Sequence, residues 1–144
     1  MARSATGRPV AMTMIQLVFS GAIYLAAFEG CYDGDTCRVK IEDAPPFLAS
    51  QSLRFYGFDT PEMRSKCLTA KEKKKEKEMA KRARDMTRKH ILEVRKLVIR
   101  DNGEGFQSKY GDLLVEAPAL KKQLIEEGLA RPYNYKDGRK SWCS

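Results

Sequence analysis

The sequence predicts an α+β domain, mainly β, in which three strands, a long helix, two further strands and a last helix follow one another. Three observations carry this reading. Apolar and polar residues alternate with a period of two over residues 36–41 and again over 53–56. A run rich in Lys, Glu, Ala, Met and Arg extends from Lys71 to His90, with apolar residues at steps of three and four. Two short apolar runs around a glycine-rich loop, and a second helical pattern, complete the chain. Five strands with a helix after the third is the order of an OB-fold barrel, a small, partly open Greek-key architecture.

The elements follow in order. Ile23 to Phe28 supplies the first strand, and Asp33-Gly34 forms the hairpin turn after it. Cys37, Val39 and Ile41 then face one way while Thr36, Arg38 and Lys40 face the other, which describes a half-buried strand. The segment EDAPPFLAS is a loop, because Pro45-Pro46 cannot sit inside a ladder. Leu53 and Phe55 point to the core of the third strand, so Arg54 points away from it. In the long helix Met79, Ala83, Met86 and Ile91 form the apolar stripe, and its KEKKKEKE start is a solvated face with Lys and Glu pairs. Strands follow at residues 94–100 and near YGDLLVE, and the last helix covers roughly 119–127 with Gly128 as its C-terminal cap.

With 144 residues the chain makes one domain, and a net charge of +8 favours a polyanionic partner or an anionic surface. Val10 to Phe28 carries no Lys, Arg, Asp or His, follows Arg3 and Arg8, and contains the triplet Ser20-Gly21-Ala22. Residues 1–22 therefore read as a signal peptide or N-terminal extension, and 23–144 as the folded domain. Export to the periplasm or the medium is the expectation, with a cytoplasmic protein starting at Met12 or Met14 as the alternative. A membrane anchor would need about 20 apolar residues and would consume the first strand. Cys31, Cys37, Cys67 and Cys143 contain no C-x-x-C pair and His90 is the lone histidine, which is poor spacing for zinc. Of three possible connectivities, geometry favours Cys31 with Cys37 across the hairpin, leaving Cys67 with Cys143; four reduced thiols are the other reading.

The acids carry the chemistry. A turn asks for one Asp beside Gly, and Asp33 meets that need; Asp35, Asp59 and Glu62 are left over. They fall in two polar breaks that an OB-fold could bring to one end of the barrel. Carboxylates with a backbone carbonyl suit a hard cation, Ca²⁺ or Mg²⁺. Arg54, on the strand entering the second break, could clamp a phosphate beside the ion, and Glu62 could take a proton from an attacking water. Together these groups specify phosphodiester chemistry.

YDGDT, LRFYGFDTPE, KYG before a strand, and LIEEGLARPY before a final Trp-Cys resemble, in that order and over residues 31–143, the staphylococcal nuclease or thermonuclease family. The resemblance implies a nuclease that cuts DNA and RNA with little sequence preference, leaves 3′-phosphate ends, and uses Ca²⁺ in preference to Mg²⁺. It implies that Asp35, Asp59 and the Thr60 carbonyl hold the metal, that Glu62 is the general base, and that Arg54 contacts the scissile phosphate. Lys109 and Tyr110 would line the nucleotide site, and Tyr133 and Tyr135 would meet the base. A monomer without stable membrane association after processing is expected. One departure touches the chemistry: directly after KYG the family pattern has a second catalytic arginine, and here that position is Asp112. Either Arg131, Arg64 or Lys109 substitutes for it, or the chain is a nucleic-acid-binding module of nuclease ancestry with weak or no catalysis.

Overall fold

The computed structural model describes residues 2–3, 9–10, 12–101, 103, 107–108, 111–134 and 136–143. A two-residue pair, β1 (Ala2–Arg3) and β2 (Pro9–Val10), precedes the barrel. The barrel is closed by six strands: β3 (Met14–Phe19), β4 (Ala22–Cys31), β5 (Thr36–Ile41), β6 (Ser50–Phe55), β8 (Lys96–Ile99) and β9 (Leu113–Glu116), arranged β3-β4-β5-β6-β9-β8. Four of its pairings are antiparallel, and two, β3 with β8 and β6 with β9, are parallel. Outside the barrel, β7 (Phe58–Asp59) pairs antiparallel with β10 (Arg131–Pro132). The expected α+β barrel class holds, with six strands in place of five.

The sixth strand is β3, cut from the stretch that the sequence assigned to a leader or extension. Phe19 lies opposite Ala22, and Ser20 and Gly21 between them both adopt positive φ, 47° and 78°, as a two-residue type I′ hairpin requires. The small-residue triplet therefore serves here as a turn. Ile15 and Leu17 point into the core, while Ile23, Tyr24 and Leu25 on β4 stay exposed. With both faces apolar, no period of two is visible in the sequence, which is why the strand was hidden. In this structure the folded unit takes in Met14–Phe19 ahead of the expected start at Ile23.

A short helix, α1 (Pro46–Ala49), occupies the expected loop, started by Pro46 at a position where the missing N–H costs nothing. The long helix α2 (Ala70–Val94) begins with Thr69 as its N-cap, Oγ1 accepting from the Glu72 N–H at 3.1 Å and donating to Glu72 Oε1 at 2.8 Å. It ends where Arg95 turns left-handed at φ 52°. Ala80, Ala83, Thr87 and Ile91 form the buried stripe, with Met79 and Met86 partly covered at its edge. The helix α3 (Pro118–Glu126) closes through Gly128 at φ 72°, with the Leu129 N–H donating to the Leu124 carbonyl at 2.8 Å. Gly128 is the left-handed residue that the sequence placed there. No helix among the described residues is long and apolar enough to cross a membrane.

The core gathers Leu53 and Phe55 from β6, Phe58 from β7, Leu113 and Val115 from β9, Leu120 and Leu124 from α3 and Ile91 from α2, each at most 1% exposed. Side chains of this size contribute about 1.5–3 kcal/mol each on full burial. This packing fixes the end of β6 and the start of β7, and hence the backbone on which the acids sit. Two disulfides join Cys31 to Cys37 and Cys67 to Cys143, the pairing favoured from the sequence. The first crosses the β4–β5 hairpin and the second ties the C-terminal tail to the loop before α2.

Candidate active site

The loop between β4 and β5 is built around Asp33 and Gly34. Asp33 Oδ1 accepts from the Asp35 N–H at 3.1 Å, which closes an Asx turn. Gly34 is required by close approach: a Cβ there would stand 2.7 Å from Ala83 Cβ and 2.8 Å from Thr60 Cγ2. Its carbonyl accepts from Thr87 Oγ1 at 2.6 Å, so α2 grips the turn from below. Asp35 is thereby held fully buried, its Oδ1 accepting from Thr36 Oγ1 at 3.0 Å and its Oδ2 from the Thr60 N–H at 3.4 Å. Arg54, opposite Thr36 in the β5–β6 register, places Nη2 3.5 Å from Asp35 Oδ2. The expected direction of Arg54, away from the core, is observed.

Asp59 and Thr60 follow at the end of β7, both buried. The Thr60 hydroxyl oxygen is buried with no hydrogen-bond partner among the described residues. Glu62 begins the loop to α2, and that loop is held by Glu76, a buried carboxylate in the first turns of the helix. Glu76 accepts from the Glu62 N–H at 2.8 Å and from Ser65 Oγ at 2.7 Å. Cys67 Sγ lies 3.4 Å from the same carboxylate, but as a disulfide sulfur it has no proton to donate.

The tail closes the site. The pairing of β10 with β7 sets Arg131 level with Asp59. Arg139 donates through Nη1 to Glu62 Oε1 at 2.8 Å and through Nη2 to Asp59 Oδ1, while the Trp142 indole N–H donates to Asp59 Oδ2 at 3.2 Å. Arg131 lies over the Trp142 ring at 3.8 Å and donates to the Ser141 carbonyl at 2.5 Å. Burial alone would lower the Arg139 guanidinium, but the hydrogen bond to Asp59 and the charges of Asp59, Asp35 and Glu62 outweigh it and raise it further above its usual range. Asp33 is also raised, which for a carboxyl favours the neutral form: burial first, then the charge of Asp35 and the hydrogen bond shared with it, push it up to about 8.

Asp35, Arg54, Asp59, Thr60 and Glu62 are thus brought to one end of the barrel, as the sequence anticipated. Tyr133 stands beside the β6–β7 turn, its N–H donating to the Gly57 carbonyl at 2.9 Å. Lys109, Tyr110 and Tyr135 lie outside the described residues. Asp112 directly precedes β9, whose Leu113 is level with Leu53. Sequence reasoning missed Glu76, Arg139 and Trp142. The one signal for the last two was Cys143, since a bond to Cys67 brings residues 139–142 back to the acids.

Comparison with known families matches residues 52–141 to the staphylococcal nuclease homologue family. No curated protein matches the chain. The matched stretch is well over half of the sequence and runs from β6 to the tail, carrying Arg54, Asp59, Glu62 and Arg139 on a nuclease-like, nucleic-acid-binding fold. The chain belongs to the staphylococcal nuclease homologue family.

Proposed function

We propose that this protein is a Ca²⁺-dependent nuclease that hydrolyses phosphodiester bonds of DNA and RNA with little sequence preference. The observation that carries the reading is the convergence of Asp35, Asp59 and Glu62 with Arg54 at one end of the barrel. The donor set fits a hard divalent cation: two buried carboxylates, with a buried Thr60 hydroxyl that has no hydrogen-bond partner among the described residues. Asp35, Asp59 and Thr60 would hold the ion, and carboxylates with a backbone carbonyl suit calcium, which accepts irregular oxygen geometry, better than magnesium. When bound, the ion would polarise a phosphoryl oxygen.

The chain's own groups supply the rest. Glu62, held in place through its backbone by Glu76, takes a proton from the attacking water. Arg54 offsets the charge that builds on the phosphate as the oxygen of water bonds to phosphorus and the bond to the 5′ oxygen breaks, leaving a 3′-phosphate. Tyr133, with Lys109, Tyr110 and Tyr135, would contact the nucleotide. The protein acts as a monomer, without stable membrane association. Its two disulfides favour secretion or a periplasmic location over the cytoplasm.

A second reading, a binding module of nuclease ancestry, is favoured by Asp112 alone, because an acid in a catalytic cation's place repels phosphate. Digestion of plasmid DNA and RNA with Ca²⁺, Mg²⁺ or chelator separates the two. Cleavage restored by Ca²⁺ supports the nuclease; retention of nucleic acid with no cleavage under any condition supports the module.

A further inference from the structure

The site receives one arginine from β6, and Asp112, directly before β9, stands where the family pattern would supply a second. A second guanidinium nevertheless reaches the acids, from the tail. Arg139 contacts Asp59 and Glu62, and Arg54 contacts Asp35. Two guanidinium groups from distant parts of the chain therefore face one group of three acids.

The placement of Arg139 is built by its neighbours. Upstream, β10 pairs with β7; downstream, Trp142 donates to Asp59 and Cys143 is bonded to Cys67. These ties fix a long, rotamer-rich side chain that a free tail would leave mobile. Arg131, one of the substitutes the sequence suggested, is already engaged in covering Trp142 and bonding Ser141. Arg139 is about one-third exposed, so its outer edge faces solvent while its inner edge holds the acids.

We propose that Arg139 is the second arginine of this site, neutralising Asp59 and Glu62 when no metal is bound and contacting the scissile phosphate in the role that Asp112 leaves open. The inference rests on the nuclease reading above. A divalent cation held by Asp59 would compete with the guanidinium for the charge of the same carboxylate, so metal loading would loosen the Arg139–Asp59 contact and leave the guanidinium able to meet a phosphate. The phosphate is the anion that takes the carboxylate's place, and the planar guanidinium fork suits either partner.

The test compares wild type, Arg139→Gln, Arg139→Lys and the double variant Arg139→Gln with Asp112→Arg. Calorimetry measures Ca²⁺ affinity, cleavage of single-stranded DNA at saturating Ca²⁺ gives kcat, and equilibrium titration gives affinity for a deoxynucleoside 5′-monophosphate with Ca²⁺ present. Arg139→Gln is expected to lower kcat by about 100-fold or more and weaken nucleotide binding about 10-fold. Its Ca²⁺ affinity stays equal or becomes tighter, because a competing cation is gone. Lysine recovers a small part of the loss, and Asp112→Arg restores more.

An unchanged or raised kcat with tighter Ca²⁺ binding overturns the proposal, since Arg139 would then be an inhibitory plug. A fall in kcat matched by equal losses in Ca²⁺ affinity and melting temperature overturns it too, by reducing Arg139 to a structural tie. If wild type cleaves neither DNA nor RNA, the nuclease reading fails by itself. The nucleotide titration still decides Arg139: undiminished affinity in Arg139→Gln rejects the phosphate contact, and a loss supports it.

Discussion

Thr87 Oγ1, on the third-last turn of α2, donates a 2.6 Å hydrogen bond to the carbonyl of Gly34, the residue between the two aspartates of the β4–β5 loop. The long helix thereby sets the height at which Asp35 enters the site. Gly34→Ala should place its methyl against Ala83 and Thr60, destabilising the fold by about 1–3 kcal/mol and displacing Asp35. Urea denaturation and Ca²⁺ calorimetry check both effects. A variant with unchanged stability and metal affinity would show that the loop does not depend on this packing.

The acids divide into ligands and a base. Asp35→Ala and Asp59→Ala should each weaken Ca²⁺ binding at least about 10-fold, whereas Glu62→Gln should leave binding nearly intact and slow cleavage by about 100-fold or more. Calorimetry beside single-turnover cleavage separates the two classes. Unchanged Ca²⁺ affinity in both Asp variants would sink the assignment.

Asp33 predicts a pH dependence in the metal-free protein. Its carboxyl titrates near 8 in the fold against 3.8 in the unfolded chain, so the folded state binds this proton more tightly. The stability it contributes is full below pH 3.8 and is lost as pH rises toward 8. In chelator, the stability difference between wild type and Asp33→Asn should therefore change steadily over that interval, to the disadvantage of wild type at higher pH. A constant difference from pH 4 to 8 would contradict the buried, protonated carboxyl.

The Cys67–Cys143 bond closes a long loop and holds the tail. Replacing both cysteines by serine should cost about 2–4 kcal/mol. It should also release Trp142 from Asp59, visible as a change in indole fluorescence at a temperature where the barrel is intact. Full stability and an unaltered emission spectrum in that variant would mean that β10 alone holds the tail.

Strand β3 is open to a direct test. A chain of residues 23–144 loses Ile15 and Leu17 from the core, each worth about 1.5–3 kcal/mol, together with the parallel pairing to β8. Its melting temperature should fall well below that of the full chain. Mass spectrometry of the protein expressed with its own N-terminus reports whether processing removes this strand. A mature chain beginning at Ile23 with undiminished stability would show that the barrel closes without β3.

The sequence by itself determined the elements whose signal is local. Cys37, Val39 and Ile41 alternate because one face of β5 is buried, the KEKKKEKE run is helical by composition, and Gly128 marks a left-handed stop. The DGDT and FDTPE breaks, with three acids beyond what a turn uses, located Asp35, Asp59 and Glu62, and the hairpin geometry paired Cys31 with Cys37. The tertiary structure alone decided the rest. Strand β3 gives no clear period of two, since apolar residues lie on both of its faces, and its pairing with Ala22–Ala27 and Lys96–Val98 defines it. Glu76 looks like one more charge on a solvated helix until the loop from Glu62 to Cys67 folds onto it. Arg139 and Trp142 lie about 80 positions from Asp59, and a contact across such a separation leaves no spacing to read, because its partner is chosen by the path of the backbone, here the β7–β10 pair and the disulfide at Cys143.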